Sequence, residues 1–307
     1  MRIAAESARP APERAAPAQA PWRRFAAEFS ESRLAMAGLA LLALIVVVAL
    51  AAPWIAPQNP YDLAQLDVLD SKLPPGSQSL AGHTYWLGTD DQGRDMLSAI
   101  LFGLRISLVV GVASTLGALA IGLATGLAAA YFGGWVDAAI MRVADIQLSF
   151  PAILIALILL ALLGQGAGKI IAALITVQWA YYARTVRSSA MVERRKEYVE
   201  AARVLALSQP RIVFRHLLPN CLPPLIVVAT VQVAHAISLE ATLSFLGLGL
   251  PITEPSLGLL IANGFQYLLS GKYWISFYPG LALLATIVAI NLVADQLRDV
   301  LNPRLQR

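Results

Sequence analysis

The chain has 307 residues, of which 58% are hydrophobic and only 14% charged, with a net charge of +4. Soluble proteins carry about 25% charged residues, so this composition argues against a soluble enzyme. Its apolar excess also argues against disorder along the whole chain. The single cysteine excludes a disulfide framework, and the three histidines lack the spacing of metal ligands.

Six apolar runs follow one another along the chain, and each has the composition of a membrane-spanning helix, which needs about 20 apolar residues. Residues 1–33 precede them and are predicted to form a disordered basic tail. The first run is too long and too far from the N-terminus for a secretory signal peptide. The predicted spans are residues 34–55, 106–132, 146–163, 170–183, 223–239 (with an extension to 245) and 275–294.

The basic residues indicate how these spans are oriented. With six spans and a cytoplasmic N-terminus, 17 of the 23 lysines and arginines fall in the two tails and in the loop between spans four and five, and five fall on the opposite side. Because positive residues accumulate on the cytoplasmic side, both termini are predicted to be cytoplasmic. Residues 56–102 then form an extracytoplasmic loop, residues 103–298 a core of five spans, and residues 299–307 a cytoplasmic tail.

The loop between spans four and five is the only large charged segment on the predicted cytoplasmic side. Strong helix formers fill residues 197–207, and Pro210 disfavours helix at the preceding residue, so a short helix is expected. A second helical piece is expected at residues 212–218, ending before Pro219. The residues alone leave two interpretations open: an amphipathic loop resting on the inner leaflet, or a docking site for a cytoplasmic protein.

The spacing within this loop resembles the EAA loop of ABC importer permeases. The family pattern is Glu-Ala-Ala, three residues, Gly, nine residues, and Ile-x-Leu-Pro. Here residues 200–202 (EAA) are followed after three residues by Ala206, and after nine more by residues 216–219 (HLLP). Ala206 stands where the family usually has Gly, which argues against a tight glycine turn at this position.

Four further stretches narrow the resemblance to the C-type permease subunits of dipeptide, oligopeptide and nickel importers. They are residues 87–95 (LGTDDQGRD), residues 141–145 with Phe150-Pro151, residues 243–249 (LSFLGLG), and residues 297–299 with 302–304. Together they carry the resemblance over nearly the whole stretch from Arg33 to Arg304 and leave the N-terminal tail outside it.

This resemblance implies an all-α polytopic membrane protein of the bacterial inner membrane, with six transmembrane helices, the type I ABC importer permease fold and a cytoplasmic coupling helix. It also implies a second homologous permease, two ATP-binding subunits and an extracytoplasmic solute-binding protein as partners, with membrane lipid around the spans and no nucleic acid. The chain has no Gly-rich phosphate loop, so it needs no cofactor itself, and ATP and Mg²⁺ are expected on the partner ATPases.

The resemblance and the chemistry of the spans together indicate two groups of site residues. The residues expected to dock on the ATPase are Tyr198, Glu200, Ala201, Ala202, Leu205, Ala206, His216 and Pro219. Four of them share one helical face: Tyr198, Ala201, Ala202 and Leu205. The residues considered for the pathway or a gate are Arg142, Asp145, Gln232, His235 and Glu240.

Charged side chains are expensive inside a bilayer, so each of the pathway candidates needs a partner or a function. Arg142 and Asp145 are three positions apart on a helix and are expected to pair near the inner end of span three. For His235 and Glu240, two alternatives stay open: they line the pathway, or they form hydrogen bonds between helices.

Two other clusters are interpreted as structural. Four glycines of span two are expected to permit close helix packing: Gly111, Gly117, Gly122 and Gly126. Asp90, Asp91 and Asp95 are expected to cap the start of a helix, because three carboxylates do not supply the 6–8 oxygen ligands of a hard cation.

The expected function is therefore a permease subunit of an ATP-driven importer, with peptides as the favoured cargo and nickel or glutathione as alternatives within the same family. An ATP-independent secondary transporter is the competing class. It would call for charged groups at the membrane midplane and for inverted halves, and neither is visible in this sequence.

Overall fold

The computed structural model describes residues 21–62, 66–79 and 82–301, and this part of the chain is predominantly helical. The helices are α1 (Pro21–Ser30), α2 (Arg33–Ile55), α3 (Met96–Phe132), α4 (Gly134–Leu148), α5 (Ala152–Leu163), α6 (Ala167–Glu193), α7 (Glu197–Val204), α8 (Gln209–Arg211), α9 (Leu218–Phe245), α10 (Leu257–Phe265) and α11 (Trp274–Val300). Short 3₁₀ turns occupy Val68–Asp70 and Leu268–Ser270, and a π-helical turn occupies Ile212–Leu217.

The prediction that residues 1–33 form a disordered tail is wrong for its last third, residues 21–33. Residues 1–20 lie outside the described residues, as do residues 302–307 of the predicted C-terminal tail, but α1 is helical and packs against α11. Phe29 is buried with Ala35 and Val293, and the Gln296 side-chain amide donates to the Glu28 carbonyl oxygen at 3.2 Å. Phe25 and Phe29 lie one turn apart with stacked rings, so α1 has an apolar side that α11 covers.

Within the described residues, four helices are long and apolar enough to cross a membrane: α2, α3, the continuous helix from Gln209 to Phe245, and α11 with Leu301. A fifth crossing is formed only if α4 and α5 count together, because they meet at a bend of 89°. The third span was predicted to cover residues 146–163, and the structure divides this stretch between the end of α4 and α5. Pro151 disfavours helix at Phe150, and the 12 residues of α5 reach about 18 Å, too short to cross alone.

The predicted fourth span is part of a much longer helix. α6 has 27 residues and continues ten positions beyond residue 183, so it is about 40 Å long. Its arginines and Gln178 keep it below the apolarity of the four candidate spans. The second half of α6 leads to the segment that contains α7. In this way α6 joins that segment to the helical core.

The loop between α2 and α3 is shorter than predicted and carries a small antiparallel hairpin, β1 (Ser77–Gln78) with β2 (Thr84–Tyr85). It ends at Asp95 and not at residue 102, because the Asp95 carboxylate caps α3 by accepting from the Ser98 backbone nitrogen at 2.8 Å. The predicted capping role is thus confirmed for this aspartate. The fully buried Arg94 pairs with Asp90 at 2.7 Å and donates to the Ile252 carbonyl oxygen, which ties the loop to the chain before α10.

The most extensive helix contact is between α3 and α6, and glycines permit it. A Cβ atom at Gly122 would lie 2.3 Å from the Tyr182 Cβ and 2.7 Å from the Trp179 carbonyl oxygen. A Cβ at Gly126 would lie 2.5 Å from the Ala183 carbonyl oxygen, and one at Gly117 would meet α6 as well. Gly111 plays the same part against α9, so the predicted packing role of all four glycines is confirmed.

We expect Gly122→Ala to destabilise the protein by about 1–3 kcal/mol, because the methyl group meets backbone atoms that cannot move aside. Thermal unfolding of the detergent-solubilised chain measures this. Gly168→Ala is the matched control: Gly168 lies in α6 with no atom within 4 Å of the added carbon, so its melting temperature should stay level or rise slightly. Equal melting temperatures for the two variants would contradict the packing role.

Candidate functional site

The segment between α6 and α9 folds around a small apolar core of its own. Val199 and Ala202 on α7 are buried against Ile212, and Tyr198 and Leu207 pack at the edge of this cluster. Two acidic residues in the first turn of α7 and one arginine in its last turn suit the helix dipole. α7 is therefore a short helix held by side chains and is not a flexible connection.

A tight turn ends α7 at Val204, three residues before the predicted end. The Leu207 backbone nitrogen donates to the Ala202 carbonyl oxygen at 3.1 Å, and the Ala206 nitrogen donates to the Arg203 carbonyl oxygen at 2.9 Å. Together these bonds form a Schellman motif, whose turning residue adopts left-handed backbone angles. That residue is Ala206, with φ of 53°. The turn that a glycine usually makes is present here, and the expectation that alanine argues against it is wrong.

A hydrogen-bonded clasp fastens α7 to the helices on either side. The Tyr198 hydroxyl donates to a Glu193 carboxylate oxygen at 2.8 Å, and the Asn220 amide donates to the Tyr198 oxygen at 3.3 Å. Lys196 donates to the other Glu193 oxygen at 2.7 Å. Burial, followed by the bond to Glu193, raises the pKa of Tyr198 to about 12, so the donating proton stays in place at neutral pH. The clasp joins α6, α7 and α9.

The outward surface of α7 differs from the predicted face. Val204 and Leu205 are 86% and 73% exposed, and Glu200, Ala201 and Ala206 are exposed beside them. Ala202 and Tyr198 belong to the inner side, so the four residues predicted to share one docking face are divided between two sides. The physical reason is that Ala202 turns with Val199 toward Ile212, about 100° around the helix from Ala201.

The second helical piece was predicted to end before Pro219, and this prediction is wrong. The π-helical turn at Ile212–Leu217 runs directly into α9, and Pro219 lies in the first turn of that helix. A wider π turn lessens the conflict between a proline ring and the preceding carbonyl groups, which explains how the helix passes this residue. His216 is half-buried, and its carbonyl oxygen accepts from the Asn220 amide at 2.7 Å.

The predicted ion pair between Arg142 and Asp145 is wrong. Asp145 pairs with Arg184 of α6 instead, and Arg142 is exposed. A second pair of the same kind joins Asp137 and Arg187, with one contact of 2.6 Å. Both pairs connect α4 to α6. Spacing along one helix could not reveal a partner on another helix.

Of the three remaining pathway candidates, Glu240 forms hydrogen bonds between helices. It is fully buried, and its carboxylate accepts from Ser107 of α3 at 2.9 Å and from Ser244 at 2.8 Å. His235 is exposed on α9, and its side chain forms no hydrogen bond with any described residue. Gln232 is half-buried and lines a cavity.

This cavity has a volume of about 980 Å³ and lies between α6, α9 and the end of α11. Its walls are mostly apolar, with valines and two of the three prolines of α9, Pro223 and Pro224. The polar groups that reach it include Glu193, Asn220, Gln232, Asp295 and Arg298. Two residues of the clasp at α7, Glu193 and Asn220, are therefore also walls of the cavity.

Comparison with known proteins identifies the family. Residues 118–307 match the model described as "Binding-protein-dependent transport system inner membrane component", and residues 20–75 match the N-terminal transmembrane domain of oligopeptide transport permease C. The chain belongs to this family. It is a multi-pass inner-membrane permease of a binding-protein-dependent ABC transport system, which confirms the predicted family and function, and such a permease is a transport subunit and not an enzyme.

Individual relatives agree with this assignment. A putative peptide transport permease of Brucella suis is 42% identical over 88% of this chain and 87% of its own length. A di/tripeptide transport permease of Pseudomonas aeruginosa is 37% identical over 93% of both chains. Among solved structures, an inward-facing MetNI methionine ABC transporter has a TM-score of 0.55 and 22% identity, covering 67% of this permease and 97% of that chain. This last likeness concerns the fold alone.

Some residues of the site carry no signal in the sequence. Glu193 and Asn220 hold the permease's α7 through Tyr198, yet they are separated by the whole loop and match no motif. In the sequence, Arg184 and Arg187 count only toward the positive charge that indicates membrane orientation. In the structure, they form ion pairs with the aspartates of α4. Only the i, i+3 pair of Glu193 with Lys196 has a spacing that local reasoning could have found.

We expect Ala206→Gly to stabilise α7 by about 1 kcal/mol, because glycine adopts left-handed angles without the steric penalty of a Cβ. Hydrogen exchange of the α7 amides in the permease should slow about fivefold. Ala201→Gly is the matched control: it lies in the interior of the same helix, where glycine is unfavourable, so exchange should become faster. Changes of the same sign in both variants would contradict the strained turn.

Proposed function

We propose that this permease forms half of the translocation pathway of an ATP-driven peptide importer, with α7 as its coupling helix. The observation that carries the proposal is the combination of a firmly held inner side and an exposed outer side on one short helix. The clasp of Tyr198, Glu193 and Asn220 and the turn at Ala206 hold α7. Glu200, Leu205 and their exposed neighbours are left without partners in the described chain.

The proposed topology has six crossings and cytoplasmic termini, formed by α2, α3, the bent pair α4–α5, α6, α9 and α11. α6 is counted because its length of about 40 Å exceeds the hydrocarbon thickness of about 30 Å and because it packs along α3. The distribution of basic residues then places α7 on the cytoplasmic side. Residues 34–55 form the first span, and residues 103–298 contain the shared core with the EAA loop at 197–219.

The proposed docking partner is an ATP-binding subunit that carries ATP and Mg²⁺. The acidic Glu200 suits a basic group on that subunit, and small or apolar neighbours such as Ala201 and Leu205 suit close packing against it. Two such ATPases, a second homologous permease and an extracytoplasmic solute-binding protein complete the proposed assembly. His216 and Pro219 support the loop from behind and are proposed to act through its shape.

A coupling helix must transmit a push without deforming, and the clasp is suited to this. A displacement of α7 would pass to α6 through Glu193 and to α9 through Asn220, which also line the 980 Å³ cavity. Rigid-body movement of packed helices is a common route for such transitions. Gln232 faces this cavity and is the proposed pathway contact, and Glu240 is proposed to hold α3 and α9 together. Arg142, Asp145 and His235 are given no pathway role.

Peptides are the proposed cargo, on the strength of the relatives' names. Nickel and glutathione remain the alternatives within the family. Uptake assays in a strain that lacks its own peptide permeases separate these alternatives. Growth on a dipeptide as the sole source of a required amino acid supports the proposal, and uptake restricted to nickel or glutathione contradicts the peptide assignment.

We expect Glu200→Lys to lower ATPase association and transport at least tenfold, because a reversed charge meets the basic partner expected on the ATPase. Co-purification of the ATPase with the tagged permease and cargo uptake are the two measurements. Glu31→Lys is the matched control, since it makes the same exchange at another exposed glutamate outside the loop. Normal association and uptake with Glu200→Lys would refute the coupling-helix assignment.

We expect Tyr198→Phe to separate ATP hydrolysis from transport. The variant keeps the outward surface of α7 but loses the hydroxyl that donates to Glu193, so the ATPase should still bind while uptake per ATP hydrolysed falls severalfold. The ratio of uptake to hydrolysis in reconstituted vesicles measures this. Tyr181→Phe removes an exposed hydroxyl from α6 and should leave the ratio unchanged. A normal ratio with Tyr198→Phe would mean that the clasp does not transmit the push.

A further inference from the structure

A basic cavity lies where α3, α4, α6 and α7 meet, and Glu200 is the only one of its lining residues to which the proposed transport function gives a task. Its volume is about 330 Å³. The corner between α3 and α4 forms one side, with Gly133 at its tip, and the end of α6 and the outer turn of α7 form the other. Three arginines reach into it: Arg194, Arg195 and Arg203.

The charge of this cavity is positive after its own ion pairs are counted. Asp137 also lines it, but Arg187 neutralises that carboxylate through two contacts. Glu200 is the other acid in the lining, and it forms no ion pair with any described residue. Three guanidinium groups therefore face a single uncompensated carboxylate, which leaves an excess of positive charge for an anion.

The arginines differ in how they are held. Arg194 donates to the carbonyl oxygens of Ala130 at 2.8 Å and Tyr131 at 3.2 Å, so its position at the end of α3 is set by the backbone. The side chains of Arg195 and Arg203 are exposed and form no hydrogen bond or ion pair with the described chain. A fixed guanidinium with two free ones beside it suits a phosphate group, which guanidinium donors bind with matching geometry.

The same corner carries exposed aromatic side chains. Phe132 is 68% exposed and Trp135 is 80% exposed, on either side of Gly133. They stand at the end of α3, an apolar helix of 37 residues, so the corner lies where that helix leaves the hydrocarbon. Aromatic residues at this level anchor membrane proteins in the headgroup region.

A neighbouring cavity extends the basic site along an apolar wall. It has a volume of about 460 Å³ and shares Met191 and Arg195 with the first cavity. Its other lining residues are Val192, which is 62% exposed, and Lys196. Positive groups that continue into apolar surface match a molecule with a charged head and an apolar chain.

We propose that the headgroup phosphate of an anionic phospholipid of the cytoplasmic leaflet binds in this cavity, held by Arg194, Arg195 and Arg203, with Phe132 and Trp135 in the adjoining interface. The proposal rests on the orientation given under the proposed function. Arg203 lies on α7, and the other two arginines lie at and just beyond the end of α6. A bound phosphate would therefore bridge the membrane-embedded helix and the coupling helix from the lipid side.

Titration of the purified full chain in mild detergent with fluorescently labelled phosphatidylglycerol tests the site, with labelled phosphatidylcholine as the zwitterionic reference of zero net charge. We expect the double variant Arg195→Gln with Arg203→Gln to bind phosphatidylglycerol about 30-fold more weakly, the factor that corresponds to two headgroup contacts of about 1 kcal/mol each. The matched control is Arg211→Gln with Arg215→Gln, which removes two exposed positive charges from the same loop but outside the cavity. Its affinity should change less than twofold.

Trp135→Ala provides a second variant with unaltered charge, and we expect it to weaken lipid binding severalfold. Equal losses of lipid affinity in the two double variants would mean diffuse attraction to a basic loop. An unchanged affinity in the variant that lacks Arg195 and Arg203 would exclude the cavity as the binding site. Inorganic phosphate that displaces the lipid fully, together with normal lipid binding by Trp135→Ala, would identify a soluble anion site and overturn the proposal. The assay needs neither ATPase nor cargo, so failure here leaves the proposed transport function standing.

Discussion

The close contact between α3 and α6 is the constraint on which the rest of the permease depends. Glycines at positions 122 and 126 let the two backbones approach until an added methyl group would overlap them. This contact fixes the direction of α6 along its whole length, including the half that continues beyond the apolar run. Since α4 is tied to α6 by two ion pairs and α7 by the clasp at Glu193, one packed helix pair sets the position of both the core and the loop.

Rigidity in the loop is obtained from several small interactions, because an eight-residue helix has little stability of its own. Its apolar core contains few side chains, its far end bends at a strained Ala206, and Tyr198 connects it to helices on both sides. The strained alanine lowers stability, whereas the motif around it supplies backbone hydrogen bonds and an apolar contact. The resulting element is firm on its inner side and open on its outer side, which is the arrangement that docking demands.

Several charged groups near the membrane also hold elements of the fold together. Asp145 and Asp137 pair across helices, Glu240 is surrounded by serine hydroxyls, and Arg94 with Asp90 closes the loop before α3. Each has a partner within the chain and serves to hold two elements together. Among the charged groups that lack such partners in the described residues, Glu200 on the outward face of α7 and the free arginines of the basic cavity are the ones to which the proposals assign molecules outside the chain.

The sequence by itself determined the family, the apolar spans α2, α3 and α11, the packing glycines and the place of the loop, because these depend on composition and spacing that are local in the chain. Only the tertiary structure decided that α4 and α5 meet at a sharp bend, that Asp145 pairs with Arg184 and not with Arg142, that Ala202 faces inward, and that Pro219 lies inside a helix. The pairing of Asp145 and the inward position of Ala202 depend on contacts with other elements, such as Arg184 and Ile212. The bend follows from Pro151, and the helix passes Pro219 through a π-helical turn. Helical periodicity specifies which residues share a face, but the direction in which that face points is set by the neighbouring helix.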